Sequence, residues 1–351
     1  MALRLFLIGV LVAFVLVSDA MADERVRLPQ GEARQTTARD LAPHRETSGA
    51  FNERWSYNLQ LDGDLQLAIN FSLARLAGFR EPTVSADLAI MGLGGQDYYV
   101  AREYPVATRF RFDASRSRLE AHPTIFFEGA PPQRHKIHFQ TEKDGVAYLV
   151  DLTFSEMAPG MTWGDGRFQL GAESIGMFIH IPYARVTGTV SVNGQQRRVR
   201  GTAYMDHTYQ TTYPPRLVRA AFRMVHHRSD GWEVGYFLLP SSRYEDTPVG
   251  FALRSRGRTS TLLRPDAVDI INTRPALGLS VPGQLRIVYG DGSQTLLTRR
   301  RDRQAFSAFE ELGGIARMAA RRLIGGELYY FRGTGTLGTG HAAAYDYLIV
   351  R

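Results

Sequence analysis

The chain has 351 residues, no cysteine, and a formal net charge of +7 from 42 Lys and Arg against 35 Asp and Glu. Without cysteine there is no disulfide framework and no thiolate metal centre, so the fold must rest on its own apolar core. The basic balance suits anionic surfaces such as phospholipid head groups, while the dispersed charges and missing recognition motifs argue against nucleic acid.

The first 22 residues read as a signal peptide. Arg4 gives a basic start, Leu5 to Val17 is an unbroken apolar run, and Ala20-Met21-Ala22 is a small-x-small cleavage site. The run is short for a membrane span, although an uncleaved anchor is the alternative the same residues allow. No cysteine follows it, which excludes lipid anchoring. Cleavage after Ala22 predicts a periplasmic or secreted protein. Residues 23–48 are polar, carry Pro29, Gly31 and Pro43 without periodicity, and read as a flexible lead-in.

From Phe51 the pattern turns to β. Trp55 to Ala74 holds two strands around Asp62-Gly63, and Asp97 to Arg102, Thr108 to Phe112 and Thr124 to Phe127 are short strands. Lys136 to Phe154 forms a hairpin about Asp144-Gly145, and Arg167 to Leu170 leads into the longest hairpin, His180 to His207. Asn193-Gly194 predicts a type I′ turn there, because both central residues need positive φ. That two-residue loop would put Val192 opposite Gln195, His180 opposite His207 and Tyr183 opposite Tyr204, with Pro182 as a candidate bulge. Further on, Leu217 to His226 and Trp232 to Leu239 flank Asp230-Gly231, followed by Val249 to Arg254, Ala267 to Thr273, Gln284 to Tyr289 and Ser293 to Arg299. A helix is expected over Gln304 to Leu323, with Phe306, Phe309, Leu312, Ala316, Ala319 and Leu323 near one face, although Gly313-Gly314 weakens it. It would cover a barrel end, or face a membrane. Glu327 to Arg332 and Ala344 to Val350 close the chain. Short strands at this rhythm indicate antiparallel β, as barrels or sandwiches, and the length allows two domains joined near Thr211 to Pro215.

Several motifs fail on context. Gly333-Thr-Gly335-Thr-Leu-Gly338 has the letters of a dinucleotide loop but no following helix. His226-His227 and His135-x-x-His138 point to opposite faces of strands, so no metal site is expected. No Gly-x-Ser-x-Gly elbow occurs. What remains is Tyr204-Met205-Asp206-His207 at the open end of the long hairpin. Tyr204 and Asp206 share one face with Tyr183 and Arg185, and Met205 and His207 share the other with His180. These residues equally suit a turn cap, sheet packing and satisfied imidazoles.

The hairpin from RVTGTVSVNGQ to GTAYMDHTY resembles that of the carotenoid 1,2-hydratase (hydroxyneurosporene synthase) and AttH-like family. Gly188, Gly201, Tyr204, Asp206 and His207 match its pattern, and NERWSYNLQLDGD around Trp55 is similar to its opening strand. The family usually continues D-H-x-W-G, whereas here Thr208-Tyr209-Gln210 follows, a departure that weakens transfer of the hydratase activity. The resemblance, clear over Phe51 to Tyr209, implies an all-β chain of two tandem antiparallel lipocalin-like barrels: residues 49–210, then 211–351 with one helix. It implies a hydrophobic lipid or isoprenoid ligand, with no cofactor and no metal. Such a protein would bind or carry that ligand across the periplasm, beside an anionic membrane surface or a membrane transporter. The alternative is a hydratase, cyclase or isomerase on the same class of molecule. There Asp206 would be an acid kept protonated by burial, Tyr204 part of an aromatic wall and His207 or His180 a base. His180, Tyr183, Trp163, Trp55 and Arg185 would line the ligand.

Overall fold

The computed structural model describes residues 25–44, 49–75, 81–228, 230–256, 259–338 and 340–351; the predicted signal peptide lies outside them. In chain order the strands of the first half are β1 (Val26–Arg27), β2 (Ala33–Gln35), β3 (Phe51–Leu61), β4 (Gln66–Arg75), β5 (Thr83–Leu93), β6 (Gln96–Pro105), β7 (Arg111–Asp113), β8 (Arg118–His122), β9 (Ile125–Glu128), β10 (His135–Lys143), β11 (Val146–Ser155), β12 (Met161–Trp163), β13 (Arg167–Leu170), β14 (Glu173–Val192) and β15 (Gln195–Gln210). The second half comprises β16 (Val218–His227), β17 (Gly231–Pro240), β18 (Val249–Arg256), β19 (Thr259–Leu263), β20 (Pro265–Ala276), β21 (Leu279–Tyr289), β22 (Gln294–Ser307), β23 (Leu328–Leu337) and β24 (His341–Val350). Helices are α1 (Val106–Arg109), α2 (Pro214–Leu217) and α3 (Gly314–Ile324).

Two antiparallel sheets result. One runs β6-β5-β4-β3-β15-β14-β11-β10-β9-β8-β7, with β1, β2, β12 and β13 attached through β14; the other runs β19-β18-β17-β16-β24-β23-β22-β21-β20. Each curls on itself, β5 approaching β8 in the first and β17 and β18 approaching β20 in the second. The chain is therefore two tandem barrels. Trp55, Tyr57, Phe71, Phe127 and Phe139 fill the first interior, and Phe222, Phe237, Tyr289, Tyr345 and Tyr347 the second. A third core lies between the barrels, where Phe168, Ile175, Met177 and Ile179 meet Leu217, Val225, Val234 and Phe251. That apolar contact makes the barrels one body rather than beads on a linker.

The long hairpin turns at Asn193-Gly194 with φ of 48° and 78°, and Val192 pairs with Gln195, as the turn chemistry predicts. Its far end differs from expectation. The straight register holds from the turn to Ala184 opposite Ala203, then slips twice, so that Ile181 faces Met205 and Phe178 faces His207. His180 and Tyr183 therefore do not pair with His207 and Tyr204. Pro182 has no N–H to give the ladder, and the chain bulges around it. The lead-in is not loose either. β1 pairs with β13 and β2 with β12, Arg34 is bound to Asp40, and Leu41 is buried in the first core; residues 45–48 lie outside the described residues. The helix expected over Gln304 to Leu323 is only α3, because β22 continues to Ser307 in its pairing with β23 and Gly313 stands at the helix N-cap. Thr108 and Arg109 belong to the turn of α1 rather than to a strand, which starts only at Arg111.

Candidate functional site

Strand alternation sends the two halves of Tyr204-Met205-Asp206-His207 to different places. Met205 and His207 look into the first barrel, whereas Tyr204 and Asp206 look across at the second. β15 thus forms one wall of two polar clusters.

The first cluster closes an end of the first barrel. Glu53, on the same face of β3 as Trp55 and Tyr57, is fully buried and accepts hydrogen bonds of 2.8 Å from His207 Nε2 and from His44 Nδ1, besides the His44 backbone N–H at 2.9 Å. His207 Nδ1 lies 2.8 Å from the Asp40 carbonyl, and Trp55 stacks on the His207 ring at 4.5 Å while donating its Nε1–H to Leu41 O. Both nitrogens of His207 thus lie against oxygen acceptors. Burial alone would raise the Glu53 carboxyl; the hydrogen bonds from His207 and His44 outweigh it and hold the group below the ordinary range. His180, next to His207 at 5.9 Å between ring centroids, is buried and its Nε2 makes no hydrogen bond. Burial, with His207 beside it, pushes its pKa down to about 3, so it is neutral. Deeper in the barrel, Tyr57 O–H donates to His135 Nε2 at 2.8 Å, and the opposite nitrogen donates to Gly129 O at 2.7 Å. His44, Glu53 and His207 bring donor atoms within 4.8 Å of one another, a set able to hold a metal ion that the sequence reading did not foresee. As they stand they form a filled hydrogen-bond network that latches residues 40–44 over the barrel.

The second cluster is the seam between the barrels. Asp206 is fully buried, and Arg223 of β16 grips both its oxygens, Nε at 2.5 Å and Nη2 at 3.0 Å. That bidentate grip is the geometry a carboxylate takes with a guanidinium, and it occupies both oxygens of the group expected to act as the acid. Arg223 Nη1 also reaches Asp346 at 3.0 Å; Asp346 takes Arg332 at 2.6 Å and Asn58 of the first barrel at 3.0 Å. Burial would raise the Asp346 carboxyl, but Arg332 and Arg223 bring it down to about 2. The Arg223 guanidinium sits 4.6 Å over the Tyr236 ring, and Tyr204 lies buried beside the pair. Burial and the Asp206 charge hold the Tyr204 hydroxyl protonated, well above a free phenol. Towards solvent the seam is framed by aromatic rings from both barrels: Tyr99 contacts Phe306 at 6.4 Å, and Phe306 stacks on Tyr330 at 5.3 Å. Near Tyr99 and Tyr330, Arg54 reaches Asp87 at 3.7 Å, and its Nε makes no hydrogen bond among the described residues.

The remaining expected ligand-lining residues are scattered. Tyr183 packs edge-on against His227, Arg185 pairs with Glu156 on an exposed face, and Trp163 donates to Gly31 O with Arg264 over its ring. Of that set only Trp55, His180 and His207 meet in one cluster, and Tyr204 and Asp206 in the other.

No family model matches the chain, and no curated protein matches it. Solved structures do. An AttH-like protein from Nitrosomonas europaea superposes with a TM-score of 0.57 at 15% identity, over 86% of this chain and 92% of that one. The chain shares its fold with that protein. CghA shares it, with a TM-score of 0.59 at 12% identity over 93% and 98% of the two chains, and 0.57 at 11% over 86% and 88% when solved with Sch210972. Kievitone hydratase from Nectria haematococca aligns at 12% identity over 85% and 88%, with a TM-score of 0.49. Within this fold the sequence reading missed Glu53, His44, Arg223 and Asp346. Glu53 carried a readable sign: it is an acid in phase with Trp55, Tyr57, Leu59 and Leu61, the buried side of its strand. Arg223 and Asp346 face each other across β16 and β24, but nothing local tells which barrel wall they meet.

Proposed function

We propose that this protein binds a small molecule of lipid or isoprenoid character at the solvent-facing mouth of the seam between its barrels, working outside the cytoplasm as its amino-terminal leader predicts. Aromatic side chains pack both barrel interiors, and at the mouth of the seam rings from both barrels meet a guanidinium. Tyr99, Phe306 and Tyr330 would take the apolar body. Arg54 is the observation that carries the reading: a partly buried guanidinium with an unbonded Nε, framed by those rings, suits a carboxylate or carbonyl end. Mass spectrometry of organic extracts from protein purified without detergent should yield a discrete lipid near one per chain. Arg54→Gln should weaken rebinding of that molecule by about tenfold, the value of one charged hydrogen bond, with unchanged melting. A clean extract together with no binding of polyprenyl or fatty-acid probes would overturn the proposal.

A second reading, cofactor-independent hydratase, cyclase or isomerase chemistry, is favoured by Tyr204 and Asp206 on the seam floor. In such a step the protonated Tyr204 phenol, whose oxygen makes no hydrogen bond among the described residues, would be the acid and the Asp206 carboxylate beside it the base. Asp206→Asn separates the readings. It should abolish turnover by an enzyme and leave a binding protein's affinity within about threefold, both read on protein confirmed to be folded because the change also loosens the ion pair with Arg223.

A further inference from the structure

α3 is built the wrong way round for a helix that only caps a barrel. At 100° per residue Ile315, Met318, Ala319 and Arg322 fall on one stripe, with Leu323 beside it. That stripe faces solvent: Ile315 is 83% exposed, Met318 66% and Leu323 45%, and no residue of the helix is buried. The orientation is anchored rather than accidental. Arg317 points inward to the fully buried Glu327, which also holds Ser307, and Arg321 Nε approaches the same carboxylate at 3.6 Å. Gly325 closes the helix in the left-handed conformation with φ of 91°, and Arg216 of α2 donates to Leu323 O. The arginines gather at the carboxy-terminal end: Met318, Arg321, Arg322 and Arg351 line one depression of about 480 Å³. Glu310 and Glu311 precede the opposite end.

We propose that α3 docks the protein on an anionic phospholipid surface, its apolar stripe entering the head-group boundary and Arg322, with Arg351, meeting lipid phosphates. A narrow apolar stripe rimmed by arginine is the pattern of helices that lie in the membrane interface. Three exposed apolar side chains fall far short of the roughly 800 Å² per partner that a stable protein contact buries, which disfavours a second copy. The chain's net charge of +7 adds long-range attraction to the same surface.

The test is sedimentation of the leader-free protein with vesicles of phosphatidylcholine alone or with about 30% phosphatidylglycerol, a typical anionic fraction. Binding should require the anionic lipid and weaken with salt. Ile315→Ser with Met318→Ser, and separately Arg322→Gln, should lower the bound fraction several-fold at unchanged melting temperature, because the replaced side chains are exposed. Failure to sediment with anionic vesicles, or binding that ignores the serine pair, overturns the proposal. So does a concentration-dependent dimer, seen by light scattering, that the serine pair abolishes, since that assigns the stripe to a second copy.

Discussion

Replacing Arg223 by Met tests the seam most directly. The side chain is nearly inaccessible and its partner Asp206 wholly so, which means that solvent screens the pair little. Arg223→Met keeps most of the apolar stem and removes the guanidinium. Asp346 retains Arg332 and Asn58, but Asp206 loses its only ion-pair partner among the described residues. Stranding a buried carboxylate in this way costs about 3–5 kcal/mol. For barrels of this size that corresponds to a fall in Tm of roughly 10 °C, read by calorimetry or by near-ultraviolet dichroism in urea. Adding Asp206→Leu to Arg223→Met should recover about 2 kcal/mol or more, since neither charge is then buried alone. A single mutant within about 1 kcal/mol of the parent, or a double mutant that loses the full sum of the singles, would refute the argument that the seam is held by a desolvated ion pair.

Two further perturbations bear on the first barrel. Burial brings His180 down to about 3 and His135 to about 4, the latter against the opposing pull of the Gly129 carbonyl. Their folded values lie below the unfolded one, so the stability they contribute is complete above about pH 6.5 and lost as the pH falls towards 4. At pH 5 each should have cost about 2 kcal/mol, and the urea midpoint should drop between pH 7 and 5, less so in His180→Phe. A flat midpoint over that range would show these rings protonated or exposed. Tyr57→Phe leaves His135 Nε2 facing an apolar wall without its 2.8 Å donor, for a loss of about 1–3 kcal/mol in the same unfolding assay. An unchanged midpoint would mean that the hydroxyl contributes nothing there.

Local chemistry was legible in the sequence wherever it acted alone. Asn193-Gly194 set its turn and the register that follows from it, and the paired strands around Asp62-Gly63, Asp144-Gly145 and Asp291-Gly292 are where the turn residues put them. Reading failed where a distant partner decided the outcome. Phe306 follows helical spacing, yet β23 claims it as a strand residue, and Leu41 looks like part of a polar tail until Trp55 binds its carbonyl. Pro182 announced a break in the ladder but not its size, and that slip of two residues put Phe178, not His180, across from His207. The site suffered most. Alternation assigned Tyr204 and His207 to opposite faces correctly, but not the identity of what those faces meet, since Glu53 lies 154 residues from His207 and Arg223, though only 17 residues from Asp206, belongs to the other barrel.

β15 carries a final consequence. With His207 bonded to Glu53 on one side and Asp206 to Arg223 on the other, neighbouring residues of one strand report to two separate chambers. The strand is a party wall. A displacement that carried the Asp206 backbone with it would reach the adjoining residue, whose ring faces the Asp40 carbonyl. A ligand that shifts Asp206 should therefore change hydrogen exchange at residues 40–44, and exchange that ignores the ligand would show the two sides of the strand to be independent.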